Sequence, residues 1–165
     1  MVSIKAHCNE VLKTLPELTE TESRFLTAAY DGDFSTIKTL INEGVNINIR
    51  GNHNGMTAFY LAVSEGHYTI MDFLLKQDNI NVNTPSAIGC TPIIRAVREE
   101  SEYAIEQLTK RNDADYTAKE PGYLTTVFSW ADEMGNNNIS KQISKTTGVP
   151  LGQDNSFVPK PIKFI

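Results

Sequence analysis

A ten-residue block, Gly55-Met56-Thr57-Ala58-Phe59-Tyr60-Leu61-Ala62-Val63-Ser64, returns 34 residues later as Gly89-Cys90-Thr91-Pro92-Ile93-Ile94-Arg95-Ala96-Val97-Arg98. A fixed period of that size confines the chain to a stacked-repeat architecture, because one such unit is too small to bury its own apolar face. The period runs both ways. Ser23 through Ala28-Ala29 and Gly32 lies one repeat upstream, and Thr126-Val127-Phe128-Ser129-Trp130-Ala131 lies 35 residues beyond the block at Thr91.

Inside a unit the residues specify two short helices. Each unit opens on a hydroxyl residue (Ser23, Thr57, Thr91, Thr126) that can accept from free backbone N–H groups at a helix start. Pro92 follows at the first helical position, where its missing N–H costs nothing. A short apolar face comes next, Phe59, Ala62 and Val63 or Ile93, Ala96 and Val97, with small alanines that let neighbouring helices approach. Gly32, Gly66 and Gly135 end the first helix. A second apolar stripe follows at helical spacing: Phe34, Ile37, Leu40 and Ile41, then Ile70, Phe73, Leu74 and Leu75. Gly44 stands where that second helix would stop.

These blocks resemble the Thr-Pro-Leu-His-x-Ala signature of the ankyrin repeat, over residues 23 to 143. Thr91-Pro92 keeps the Thr-Pro pair, and Gly66-His67 keeps the Gly-His step between helices. Val45-Asn46-Ile47-Asn48 and Asn81-Val82-Asn83 stand where the family writes Ala-Asp-Val-Asn. Glu100-Ser101 departs from Gly-His, Leu74 to Asn83 carries one residue more than Leu40 to Asn48, and the fourth unit keeps only Thr126, Phe128, Ala131 and Gly135. The resemblance implies an all-α ankyrin-repeat solenoid of helix-turn-helix units joined by hairpin-like loops. It also implies that His67 bonds at the start of the second helix.

The expected organisation is a capping helix in 1–18, repeats at about 19–52, 53–86, 87–121 and 122–143, and an extended tail in 144–165. Ile4, Cys8, Val11, Leu12 and Leu15 form the stripe of the cap, Pro16 closes it, and Thr19 with Glu22 suits a capping box. The fourth unit is expected to open first. The tail alternates apolar residues with Pro and Lys from Phe157 to Ile165. It reads either as a segment folded back over the last repeat, the expectation favoured here, or as a short linear docking motif.

At 165 residues, 40% hydrophobic and 21% charged, the chain suits one globular domain. A net charge of −5 argues against nucleic acid or an anionic membrane as partner. Cys8 and Cys90 lie in separate units and read as free thiols of a reducing compartment. Without an apolar leader, the start points to the cytoplasm, or to a host cytosol for a secreted effector. Cys90, just ahead of a helix start, is expected to be the more reactive thiol.

Nothing in the sequence assembles into chemistry. His7, His53 and His67 fall in no metal-binding spacing, and no phosphate-cradling glycine loop occurs. Glu99-Glu100 and Asp132-Glu133 read as solvated helix faces, and Asn138-Ile139-Ser140 as an unused sequon. No catalytic, cofactor or metal residue is assigned, and no enzyme activity is expected. The resemblance instead implies a partner protein bound across hairpin tips and first-helix ends on the concave side. Carried over, the tips are Arg50, His53, Asn54 and Met56, then Ala87, Ile88 and Cys90, then Gly122, Tyr123 and Thr125. The helix-end positions are Tyr30, Asp31, Ser64, Glu65, Arg98, Glu99, Glu133 and Met134. Met56, Ile88 and Tyr123 make an apolar row along the stack, with Arg98, Glu99, Arg50, His53 and Glu65 around it. The expected function is a monomeric, non-catalytic protein-binding module. Its Asn- and Ile-rich repeats resemble those of effectors of intracellular bacteria. The alternatives are an N-terminal targeting domain of a longer enzyme, and a purely structural scaffold.

Overall fold

Thr19 opens the first repeat helix in the computed structural model, which describes residues 4–51, 54–119, 126–133 and 137–148. Its hydroxyl accepts from Glu22 N at 3.2 Å while Glu22 Oε2 accepts from Thr19 N at 2.9 Å, a complete capping box. Ser23 therefore lies inside the first turn and does not open the unit. The offset arises because this helix, α2 (Glu20–Asp31), is longer at its start than its counterparts.

Nine helices occur among the described residues, and no strand does. α1 (Ile4–Lys13) precedes four pairs: α2 with α3 (Phe34–Asn42), α4 (Ala58–Ser64) with α5 (Tyr68–Leu75), α6 (Pro92–Arg98) with α7 (Glu102–Thr109), and α8 (Val127–Glu133) with α9 (Asn137–Thr147). Ile4, Cys8, Val11, Leu12 and Leu15 are all half-buried, so the cap stripe is covered only in part. Thr57 and Thr91 cap α4 and α6, accepting from Tyr60 N at 3.1 Å and Ile94 N at 3.5 Å. α9 continues to Thr147, past residue 143, because Ile139 and Ile143 hold its buried face against the stack.

Successive first helices pack as α2–α4–α6–α8, while α3 packs on α5 and α7 on α9. The first-helix row is lined by Ala28, Ala29, Ala58, Ala62, Ala96 and Ala131, all buried, and small side chains permit close approach. The second-helix row is spaced by rings: Phe34 meets Phe73 edge-on at 5.3 Å, and Tyr68 meets Tyr103 at 4.8 Å. A stack narrower on one side than on the other bends toward the narrow side. Tyr60 and Ile94 are also buried, although they lie off the apolar stripe, because a first helix has neighbours on both flanks. Each large side chain so enclosed, such as Phe59 or Ile70, contributes about 1.5–3 kcal/mol.

Asparagines tie unit to unit. Asn48 Nδ2 donates to Asn79 O at 2.7 Å and its Oδ1 accepts from Asn81 N at 2.8 Å. Asn83 repeats the pattern one unit on, donating to Asp113 O at 2.6 Å and accepting from Asp115 N at 2.8 Å.

His67 also acts between units. It occupies the N-cap position of α5 without a side-chain capping bond, and its Nε2–H donates to Tyr30 O at 2.8 Å. The expected bond at the second helix is thus replaced by one that closes the end of α2. The ring fills the space over Gly32, where an added Cβ would stand 2.7 Å from Cε1. In the third unit Glu100 takes the glycine position at φ +50°, a left-handed conformation that costs an L residue about 1–2 kcal/mol. Ser101 replaces the histidine there and caps α7 through Ala104 N at 3.4 Å.

Candidate interaction surface

The side of the stack formed by first helices and hairpin loops carries an open groove of about 590 Å3. Leu18, Leu26, Tyr30, Met56 and Leu61 give it apolar walls, and Glu17, Ser23, Thr27, Gly51 and Asn54 complete the lining. The helical spacing of Ser23, Leu26, Thr27 and Tyr30 places all four on one face of α2. Tyr30 is 56% exposed, the most open large apolar side chain among the described residues.

The loop beside the groove is held from within. Arg50 donates through Nε to Gly55 O and through Nη2 to Pro85 O, both at 2.9 Å. Its guanidinium is therefore spent on backbone carbonyls of two successive hairpins. Ala87 N donates to Asn54 O at 2.7 Å, tying the same two loops edge to edge. Met56 is half-buried against the core, while Ile88 at the next tip is 42% exposed. Ala87 is buried. His53, Tyr123 and Met134, with the tip positions Gly122 and Thr125, lie outside the described residues.

Further along, a polar chain crosses the helix ends. Ser64 Oγ donates to Glu65 Oε1 at 3.0 Å and accepts from Arg95 Nε at 3.1 Å, and Arg95 pairs with Glu99 at 3.0 Å. Glu65 and Glu99 are both exposed. Arg98 lies over the Trp130 ring, its Cζ 4.6 Å from the centroid, so the guanidinium bridges the third and fourth units. Arg95 was missed by sequence reasoning; its place one turn before Glu99 was the available signal.

Cys90 is fully buried and Cys8 half-buried, which reverses the expected order of thiol reactivity. The turn closed by Ser86 N donating to Cys90 O at 2.9 Å folds Cys90 inward, where its Sγ approaches Thr91 O at 3.7 Å. Tyr60 shares this interior, and burial raises its phenol pKa well beyond the usual range. Among the described residues no three His, Cys, Asp or Glu side chains gather as metal ligands, and no helix is long and apolar enough to cross a membrane.

A stack of capped helix pairs, tied through loops and presenting an open groove on the first-helix side, defines a helical repeat solenoid of the interaction-module class. A family model of ankyrin repeats, three copies, matches residues 25–120. The chain belongs to the ankyrin repeat family. It is 33% identical over 66 residues to short transient receptor potential channel 3 of Rattus norvegicus and of Mus musculus, covering 39% of this chain and 7% of each channel. It is 34% identical over 71 residues to alpha-latrotoxin-Lt1a of Latrodectus tredecimguttatus, covering 43% of this chain and 5% of the toxin. The matched stretch thus spans well under a tenth of these relatives.

Proposed function

We propose that the chain is a non-catalytic module that binds a partner protein across its first helices and hairpin tips. One observation carries the reading: the groove walled by Leu26, Tyr30, Met56 and Leu61 reaches Asn54, whose carbonyl accepts from Ala87 N of the next hairpin, beside exposed Ile88. Apolar groups of that size rimmed by carboxylates are the usual material of a protein interface. The Glu65–Ser64–Arg95–Glu99 chain would then supply polar contacts at the edge of the same footprint. A cytoplasmic setting is part of the proposal. The effector reading rests on the Asn- and Ile-rich composition alone, and the relatives named above are animal proteins.

The test compares two double variants as baits. Tyr30→Ser/Ile88→Ser alters the first-helix side, and Tyr68→Ser/Tyr103→Ser alters exposed rings of the second-helix side. A protein captured by the native chain should be lost to the first variant and kept by the second. Capture that survives the first and fails with the second would place binding on the opposite side.

A further inference from the structure

The lining of the groove and the chain's own C-terminal sequence are complementary in composition and charge. Five apolar side chains line the groove, together with the carboxylate Glu17 and no basic residue. Asp31 directly follows Tyr30, and Glu65 lies one turn beyond Leu61; both are exposed. The occupant that suits such a site is extended, apolar on most of its surface, and cationic on one edge.

Residues 156–165, Ser-Phe-Val-Pro-Lys-Pro-Ile-Lys-Phe-Ile, contain five apolar side chains, two lysines and no acid. Pro159 and Pro161 favour the polyproline II conformation, which repeats every three residues. That period sets Phe157, Lys160 and Lys163 on one edge, and Val158, Pro161 and Phe164 on the next. Pro159, Ile162 and Ile165 take the third.

We propose that residues 158–165 of this chain occupy the groove between α2 and the 51–56 loop, with Lys160 and Lys163 toward Glu17 and Asp31. The reach suffices: the ten residues from Gly148 to Val158 span about 33–36 Å when extended. Three helix-to-helix steps from the fourth unit to the first cover about 24–30 Å, and the step from the second-helix row, where α9 ends, to the first-helix row adds about 8–10 Å at a right angle, a direct distance of about 25–32 Å. The segment is then a placeholder that a partner must displace, which lowers apparent affinity by the fraction of open groove. The inference rests on the reading of this side as the binding side.

The test uses the full chain and leaves the repeats untouched. Val158→Ser/Phe164→Ser should move the amide NMR signals of Leu26, Tyr30, Met56 and Leu61 and leave those of residues 137–147 in place. Movement confined to residues 126–147, or none, would overturn the proposal, and so would groove shifts that vanish on dilution, since they belong to a second copy. As a reciprocal measurement, trypsin cleaves after Lys163, while Lys160 is shielded by Pro161. Tyr30→Ser should speed cleavage after Lys163 several-fold at an unchanged melting temperature, and an unchanged rate would contradict docking. If only the tail assignment fails, Tyr30→Ser/Ile88→Ser still loses the captured partner. If the binding-side reading fails, that variant keeps it.

Discussion

First and second helices recur together in every unit, yet the two rows solve different problems. The first-helix row is closed with alanines and fully enclosed Phe59, Tyr60, Ile93 and Ile94. The second-helix row leaves Tyr68 and Tyr103 more than a third exposed, and their phenols bond sideways: Tyr68 to Ser101 at 3.0 Å and Tyr103 to Asp72 at 2.6 Å. Close packing on one side and ring-spaced packing on the other bring the first helices nearer to one another than the second helices are. The dense row carries stability, and its outer surface with the loops is where the proposed binding falls.

Substitutions should separate the two rows. Phe59→Ala on α4 is expected to cost about 3–5 kcal/mol, since it leaves a cavity with neighbours on all sides. Tyr103→Ala on α7 should cost far less. Comparable losses in urea unfolding would break the distinction. Next in size is the loop ladder: Asn83→Ala removes two inter-unit hydrogen bonds at about 0.5–1.5 kcal/mol each. Chemical denaturation of Asn83→Ala beside Asn48→Ala shows whether each rung contributes alike.

Glu100→Gly sharpens the contrast between the second unit, with Gly66, and the third. Relief of the left-handed strain should outweigh the added chain entropy and leave a gain of about 0.5–1 kcal/mol. Calorimetry should read that as a rise of about 1–4 °C; a fall would mean that Glu100 makes a compensating contact. The smallest effect is on pH. Thr19 holds Glu22, Thr36 holds Asp33 and Arg111 holds Asp113 below their ordinary pKa values of 4.5, 3.8 and 3.8. Depressed carboxylates favour the folded state above those ordinary values, and the benefit fades as pH falls through the lower folded ones. Asp33 and Asp113 are exposed and Glu22 is half-buried at the surface, so melting temperature should drop only slightly between pH 5 and pH 3, and Glu22→Gln should blunt the drop.

The helix pairs were legible because the period, the Thr57 and Thr91 caps and the stripes of three- and four-residue spacing are local signals. What stayed hidden depends on distant backbone. His67 carries its family signature in sequence, but its bond goes to Tyr30 of the unit before. Cys90 stands beside a helix start, yet the turn closed on Ser86 decides that its side chain points inward. Arg50 is a charged loop residue by sequence and becomes a clamp only when Gly55 and Pro85 are brought together. Of the candidate surface, exposed Ile88, Glu65 and Glu99 were readable, whereas the groove beside Tyr30 required the packed loop. Tyr123 and His53 fall outside the described residues.

The division between the two sides meets its most direct test in hydrogen–deuterium exchange on the chain with and without a captured partner. The account predicts slowed exchange in Leu18–Tyr30, Asn54–Glu65 and Ile88–Glu99, with Phe34–Asn42, Tyr68–Leu75 and Glu102–Thr109 unchanged. Slowed exchange in those second helices, with the first-helix segments unaltered, would contradict it.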